Sequence, residues 1–209
     1  MIELTLIQKI CAAIIPVLFA ITVHEVAHGW VANRLGDPTA KMMGRLTLNP
    51  FKHIDPIGTV LVPLLTLYLG GVLFGWAKPV PINSRYFKHF RRDVALVSIA
   101  GPLSNFFMAC FWALLLHVTS NAHLGVSLMC QIGITINLVL GVLNLIPIPP
   151  LDGSRVVSSL LPRRWAYYYD RIEPYGFFIL LALYFLGILT AIMDPILQFL
   201  LQLFMGSHL

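Results

Sequence analysis

The chain has 209 residues, of which 58% are hydrophobic and only 11% are charged, and its net charge is +5. A water-soluble domain carries about 25% charged residues, so the composition excludes that class. The basic excess could indicate nucleic-acid binding, but the lysines and arginines lie in the segments between apolar stretches, as in the inner loops of membrane proteins. We therefore expect an integral membrane protein in contact with the lipid bilayer, with no nucleic-acid partner.

The first apolar stretch, residues 6–31, is long enough to cross a bilayer but contains His24, Glu25 and His28. Ionisable side chains within a spanning helix cost at least a few kcal/mol each and usually mark a functional site. Histidines at i and i+4 share one helix face and can bind one zinc ion, and Glu25 between them can accept a proton from water. The alternatives are a histidine pair hydrogen-bonded to Glu25 for structure, or histidines that reach the membrane interface.

The next segment, residues 35–93, is predicted to be an insert associated with the membrane. Its apolar part, 57–74, is just long enough to cross, but a crossing would place the basic loops on its two sides in opposite compartments. We favour a re-entrant segment, and a crossing stays the alternative. Residues 45–48 and 78–82 alternate in polarity and are predicted to be short β-strands, the second at a sheet edge because of its prolines.

Three further apolar stretches are predicted to be membrane helices: residues 94–118, 126–146 and 175–192. Asp194 and Pro195 are expected to interrupt the tail, so that 196–204 lies at the interface or completes another crossing. The loop charges predict an external amino terminus, with the first and third helices running inward. The predicted fold class is all-α polytopic, with four to six transmembrane helices and a small membrane-associated β/re-entrant insert.

A catalytic zinc ion commonly has three protein ligands, so one more donor is needed. Asp152 is the favoured candidate, because it follows the proline-broken end of the third helix on the inner side, where the histidines also lie. Gly153 is expected to allow a tight turn that aims this carboxylate. Asn144, close to the proline break, is predicted to lie beside the metal. Three carboxylates in basic loops are less favoured alternatives: Asp55, Asp93 and Asp170.

Small and polar residues recur along one face of the second and third helices. Such residues let membrane helices approach closely and form hydrogen bonds. We interpret them as packing residues: Ser98, Gly101, Pro102 and Asn105, and Gly133, Asn137 and Gly141. The aromatic and basic residues of 163–169 are interpreted as an anchor at the membrane interface.

Three motifs in this order resemble the site-2 protease family of intramembrane zinc metalloproteases: HEVAHG at 24–29, GPLSN at 101–105 and NLIPIPPLDG at 144–153. The resemblance also includes residues 44–50 and 74–81, and it is closest to the compact prokaryotic branch without a PDZ domain. It implies one zinc ion per chain, bound by His24, His28 and Asp152. It also implies that Glu25 is the catalytic acid/base and that Asn144 assists the substrate or oxyanion.

The resemblance further implies hydrolysis of peptide bonds within or next to the transmembrane segments of single-pass membrane proteins. The enzyme would be a multi-pass protein of the prokaryotic cell membrane, with its active site towards the cytoplasm. The chain is interpreted as one domain. The metal-binding helix is 1–34 and the insert is 35–93. The two core helices are 94–119 and 126–146. A loop with an interfacial segment follows at 147–173, and the C-terminal helices are 174–209.

Two other functions fit a buried metal site. A metal transporter would carry ionisable groups along a path through several helices, but the stretches 94–118, 126–146 and 175–192 have no carboxylate. A non-catalytic scaffold would gain nothing from Glu25 between two metal ligands. Both are therefore less favoured than a protease.

Overall fold

The computed structural model describes residues 5–62, 65, 78–119 and 124–206. The α-helices of this part are α1 (Leu6–Arg34), α2 (Thr39–Met42), α3 (Phe90–Val118), α4 (Leu124–Leu145), α5 (Asp152–Leu160), α6 (Arg163–Asp170), α7 (Gly176–Phe185) and α8 (Ile188–Met205). Short 3-10 turns occur at Pro50–Lys52, Ser84–Tyr86 and Glu173–Tyr175, and a π-helical turn at Pro56–Leu61. Four helices are long and apolar enough to cross a membrane: α1, α3, α4 and α8.

Helix α1 begins at a capping box. The backbone N–H of Gln8 donates to the Thr5 hydroxyl, and the backbone N–H of Thr5 donates to the Gln8 side chain. The helix continues through Pro16 and past His28 to Arg34, as the first apolar stretch predicted. The helices predicted at 94–118 and 126–146 are also confirmed, as α3 and α4.

The C-terminal region differs from the prediction. The expected helix at 175–192 is broken at Gly187, whose φ of +71° lies in the left-handed region that glycine adopts without strain. Asp194 and Pro195 were expected to interrupt the tail, but both lie inside α8. That prediction is wrong, because a single proline is tolerated inside an apolar membrane helix when its surroundings compensate for the lost hydrogen bond.

The insert also differs, because the part of the chain that the structure describes contains no β-strand. Residues 45–48 form an irregular bend, and residues 78–82 form no strand and pair with no other strand that the structure describes. Both strand predictions are therefore wrong. The physical reason lies in the backbone of the second segment. Arg45 donates to the Lys78 carbonyl, and Glu25 accepts from the Val80 N–H, so side chains replace a neighbouring strand. Most of the re-entrant segment predicted at 57–74 lies outside the described residues.

The core lies around α3, which contacts α1, α4 and α5, while α4 also contacts α1 and α8. One part of it is an apolar cluster formed by α3, α4 and α8: Ala109, Trp112, Leu116, Cys130, Ile134, Leu138 and Met205. The other part contains buried polar side chains from α1, α3 and α4, and α5 begins next to it. Large apolar side chains such as Phe107 and Leu203 are exposed, as expected for helices in contact with lipid.

Candidate metal centre

Helix α1 brings two imidazoles together because His24 and His28 are one helical turn apart. Their Nε2 atoms lie 3.0 Å from each other. Asp152, the first residue of α5, places its Oδ2 atom 3.2 Å from the Nε2 of His24 and 3.2 Å from that of His28. The structure thus brings together, from two distant parts of the chain, the three side chains that the sequence predicted to be metal ligands.

Hydrogen bonds on the far side of each ring determine which nitrogen carries the proton. His24 Nδ1 lies 2.6 Å from Asn105 Oδ1, and His28 Nδ1 lies 2.7 Å from the Val97 carbonyl oxygen. Since these oxygens can only accept, each Nδ1 donates its proton, so that in the neutral form of each ring, which is the form that binds a metal, the Nε2 lone pair faces Asp152. Oriented histidines of this kind are typical of metal sites, where the second nitrogen is held by a hydrogen bond.

The resulting cluster consists of acceptors that face each other. The Asp152 Oδ2 atom is buried and has no hydrogen-bond donor among the described residues. Buried acceptors without a donor are unfavourable, whereas a cation between them satisfies all of them. A tetrahedral zinc ion with ligands at about 2.0–2.1 Å separates adjacent ligand atoms by roughly 3.3 Å. The observed spacings of 3.0 and 3.2 Å therefore fit zinc, and three ligands leave a fourth position open.

Asp152 lies outside the four candidate spans, at the start of α5. Burial by itself would raise the pKa of its carboxyl group, but when the neighbouring His24 and His28 rings are protonated and no metal is bound, their hydrogen bonds and charge outweigh burial and lower that pKa below its ordinary value. Asp152 therefore remains a carboxylate at neutral pH, which is the form that binds a metal.

Glu25 lies on the same helix, one position beyond the first histidine. Its side chain is half-buried, and its Oε2 atom accepts a hydrogen bond of 2.8 Å from the backbone N–H of Val80. The carboxylate is thus held at one oxygen beside the metal-binding cluster. Such an arrangement suits a group that exchanges a proton with a reactant at the cluster.

Two glycines allow the helices to approach at this site. A Cβ atom at Gly101 of α3 would lie 2.6 Å from Cε1 of His24 and would collide with the ring of His28. At Gly153 a Cβ atom would collide with the Leu145 carbonyl at the end of α4. Gly153 was expected to form a tight turn, but it lies inside α5 and its φ is not positive. Its function is close packing of α5, which carries Asp152, against α4.

Asn105 and Asn137 have a more specific function than the packing that the sequence suggested. Both side chains are fully buried. The Asn105 amide donates to the Ala20 carbonyl and to Asn137 Oδ1, and Asn137 in turn donates to the Gly133 carbonyl. These donations orient the Asn105 amide so that its oxygen faces His24. The signal available in the sequence was the position of Asn105 at the end of the GPLSN motif.

The remaining predicted residues do not contribute a described contact to the cluster. Asn144 donates to the Leu140 carbonyl of its own helix, so its proposed role near the substrate stays a prediction. Asp55 caps the turn that begins at Pro56, and Asp93 pairs with Arg92. Asp170 is exposed at the end of α6. Of the carboxylates considered as third ligand, the structure brings only Asp152 to the histidines.

Comparisons with known proteins give the same classification. A sequence model of peptidase family M50 matches residues 116–187, a region that includes Asp152. A Bacillus subtilis protein named "Putative zinc metalloprotease YwhC" is 42% identical over 193 residues, which cover 88% of this chain and 85% of the relative. A Mycolicibacterium smegmatis protein named "Putative zinc metalloprotease Rip2" is 32% identical, over 79% of this chain and 63% of that protein. No solved structure was found to match.

The identity to the Bacillus protein extends over most of both chains, so the similarity is not confined to the short histidine motif. In addition, four helices in the described part of the chain are long and apolar enough to span a bilayer. The histidine and aspartate cluster supplies the ligand types and spacing that zinc requires. The chain therefore belongs to peptidase family M50, the site-2 protease family, and is an integral membrane zinc metalloprotease.

Proposed function

We propose that this protein hydrolyses peptide bonds within or next to the transmembrane segments of single-pass membrane proteins, as in regulated intramembrane proteolysis. The observation that carries the proposal is the cluster of His24, His28 and Asp152 with Glu25 beside it. The histidines and Glu25 lie on α1, which is long and apolar enough to lie in the bilayer. Its natural environment would be a prokaryotic cell membrane, with the site towards the cytoplasm.

The metal ligands in this proposal are His24, His28 and Asp152, and they bind one zinc ion per chain. When bound, zinc supplies a Lewis acid that polarises the scissile carbonyl and makes water more acidic. Glu25 takes the proton from the attacking water and later returns it to the leaving amine. Asn144 is proposed to contact the substrate or the developing oxyanion from the end of α4.

The location of the site supports a membrane substrate. Exposed apolar side chains on α1 and α3 leave these helices in contact with lipid, so a substrate helix can approach within the bilayer. A helical substrate keeps its carbonyls hydrogen-bonded, and local unwinding must precede attack. Arg34 at the end of α1, and Lys41 and Arg45 after it, favour a cytoplasmic location for that end of the helix.

The decisive experiment compares wild type with Glu25→Gln and Asp152→Ala in liposomes that contain a single-pass test substrate. Wild type should bind one zinc ion per chain and cleave. Glu25→Gln should retain zinc and lose cleavage by roughly 10²- to 10⁴-fold, because it removes the proton acceptor only. Asp152→Ala should lose both zinc and cleavage, while Asp170→Ala, which changes an exposed carboxylate, should behave as wild type.

Several results would contradict the proposal. Unchanged cleavage by Glu25→Gln would remove that residue from the mechanism. Equal cleavage of a water-soluble protein and of the membrane substrate would contradict the proposed substrate class. Zinc transport across the liposome membrane by both wild type and Glu25→Gln, without cleavage, would favour the transporter.

A further inference from the structure

A segment of the insert packs against α1 beside the Glu25 carboxylate. We call residues 78–82 the Val80 segment. Its central residue, Val80, is 6% exposed. A Cβ atom at Gly29 of α1 would lie 2.8 Å from the Val80 side chain, so the absence of a side chain at Gly29 allows this close contact. The close contact brings the Val80 backbone within hydrogen-bond distance of Glu25.

Hydrogen bonds hold the Val80 segment in place on both sides of Val80. Buried Arg45 donates from Nη2 to the Lys78 carbonyl at 2.9 Å and, more weakly, to the Pro79 carbonyl at 3.4 Å. The Lys78 N–H donates to the His53 carbonyl at 3.0 Å. Beyond the segment, the Asn83 N–H donates to the buried carboxylate of Asp37 at 2.6 Å. The backbone at Val80 is therefore fixed relative to α1.

The sequence around Val80 also determines which backbone group can reach Glu25. Pro79 and Pro81 have no N–H, so Val80 carries the only backbone donor of these three residues. The residue before a proline is restricted to extended conformations, which removes freedom at Val80 itself. The segment thus presents a single donor in a rigid frame, and Glu25 Oε2 accepts from it at 2.8 Å.

We propose that the Val80 N–H is a positioning group for catalysis, a function that rests on the proposed proteolytic role of Glu25. By binding Oε2, it fixes the carboxylate and leaves Oε1 as the oxygen that exchanges a proton with water. Without this bond, Glu25 would sample other rotamers and lose its alignment with the reacting water. Misplacement of a catalytic group by about 1 Å can cost roughly a hundredfold in rate.

The competing explanation is that the bond only attaches the insert to α1. The two explanations differ in what the loss of the donor does. A catalytic positioning group changes kcat and leaves KM, zinc content and thermal stability nearly unchanged. A purely structural contact changes stability or substrate affinity, and it changes kcat only in proportion to the folded fraction.

The test replaces the Val80 amide by an ester, using the α-hydroxy acid of valine introduced by nonsense suppression. This change removes the N–H and keeps the side chain. We expect kcat for the single-pass test substrate to fall about tenfold to a hundredfold, with KM and zinc per chain as in wild type. The matched control is the same amide-to-ester change at Ile82, whose N–H has no acceptor among the described residues, and it should retain the wild-type kcat.

The outcomes separate this inference from the proposed function. If wild type cleaves and the ester variant has the same kcat, the positioning role is wrong while the protease assignment stands. An equal fall for the ester at Ile82 would attribute the effect to a general loosening of the segment and would also overturn the inference. If wild type cleaves no membrane substrate, both proposals fail. Should the ester variant not accumulate, Arg45→Ala removes the donor to the Lys78 and Pro79 carbonyls and loosens the segment that carries the Val80 N–H, so kcat should fall with zinc per chain unchanged. An unchanged kcat for this variant would overturn the inference.

Discussion

The metal-binding part of the molecule and the apolar cluster are two parts of one helix pair, but they are built by different rules. Around the histidines, the polar side chains of α1 have specific hydrogen-bond partners: Asn105 for His24, the Val97 carbonyl for His28 and the Val80 N–H for Glu25. In the apolar cluster, residues such as Trp112, Ile134 and Leu138 pack by shape alone. Hydrogen bonds thus determine how the side chains are arranged at one end of the bundle, and the packing of apolar side chains determines it at the other.

The comparison teaches where function and stability are separable. Polar groups inside a bilayer must find partners within the protein, so the arrangement of the metal-binding part is tightly constrained. Apolar groups in a bilayer can exchange one neighbour for another or for lipid at small cost. Substitutions at the first end should therefore change zinc binding out of proportion to stability, and those at the second end should do the reverse.

Gly101→Ala should give the largest effect on zinc. The added methyl group would overlap the rings of His24 and His28, which must move away from Asp152. We expect zinc affinity to fall by more than about a hundredfold, since these rings supply two of the three proposed ligands. Competition with a fluorescent chelator measures this affinity.

The matched control is Gly125→Ala, because a Cβ atom at Gly125 meets nothing within 4 Å. Its zinc affinity should equal that of wild type. If both variants bind zinc equally well, the histidine rings tolerate displacement. The proposed contrast between the metal-binding part and the apolar cluster is then wrong.

Asn105→Ala should have an intermediate effect. It removes the acceptor that keeps the proton of His24 on Nδ1, so the ring can rotate or change tautomer. Loss of such a hydrogen bond typically costs 10- to 100-fold in metal affinity, about the range expected here. Zinc affinity of the purified variant, measured by isothermal titration, checks the expectation.

Asn137→Ala tests whether the effect decreases with distance from the metal. Asn137 only orients Asn105, so the fall in zinc affinity should be smaller than for Asn105→Ala. A larger fall would mean that the Asn137 network supports the helix pair as a whole and not the histidine in particular.

The first-helix site could be predicted because its signal is local. His24, Glu25 and His28 lie within five consecutive residues. The 3.6-residue period of an α-helix is sufficient to place both histidines on one face. Asp152 was found by a coarser argument, since two helices that run inward must end on the same side. Neither argument required knowledge of side-chain packing.

The hydrogen bonds that support the site could not be predicted in the same way. Asn105 contacts a histidine 81 positions away, and the donor to Glu25 is a backbone N–H 55 positions away. A backbone donor has no residue type that identifies it in the sequence. The same limit explains the wrong strands: the alternation at 78–82 is real, but Arg45 and Glu25 satisfy its backbone in place of a partner strand.

Ile134→Ala should have the smallest effect on zinc and the clearest effect on stability. Ile134 is fully buried in the apolar cluster, with no polar contact to lose. The cavity should lower the free energy of unfolding by about 2 kcal/mol, while zinc affinity of the folded protein stays as in wild type. Thermal unfolding in detergent measures the first quantity and chelator competition the second, with Leu114→Ala as the control because that side chain is 64% exposed. A loss of zinc affinity for Ile134→Ala at unchanged stability would show that the apolar cluster transmits its packing to the histidines, because α3 and α4 contribute residues to both ends.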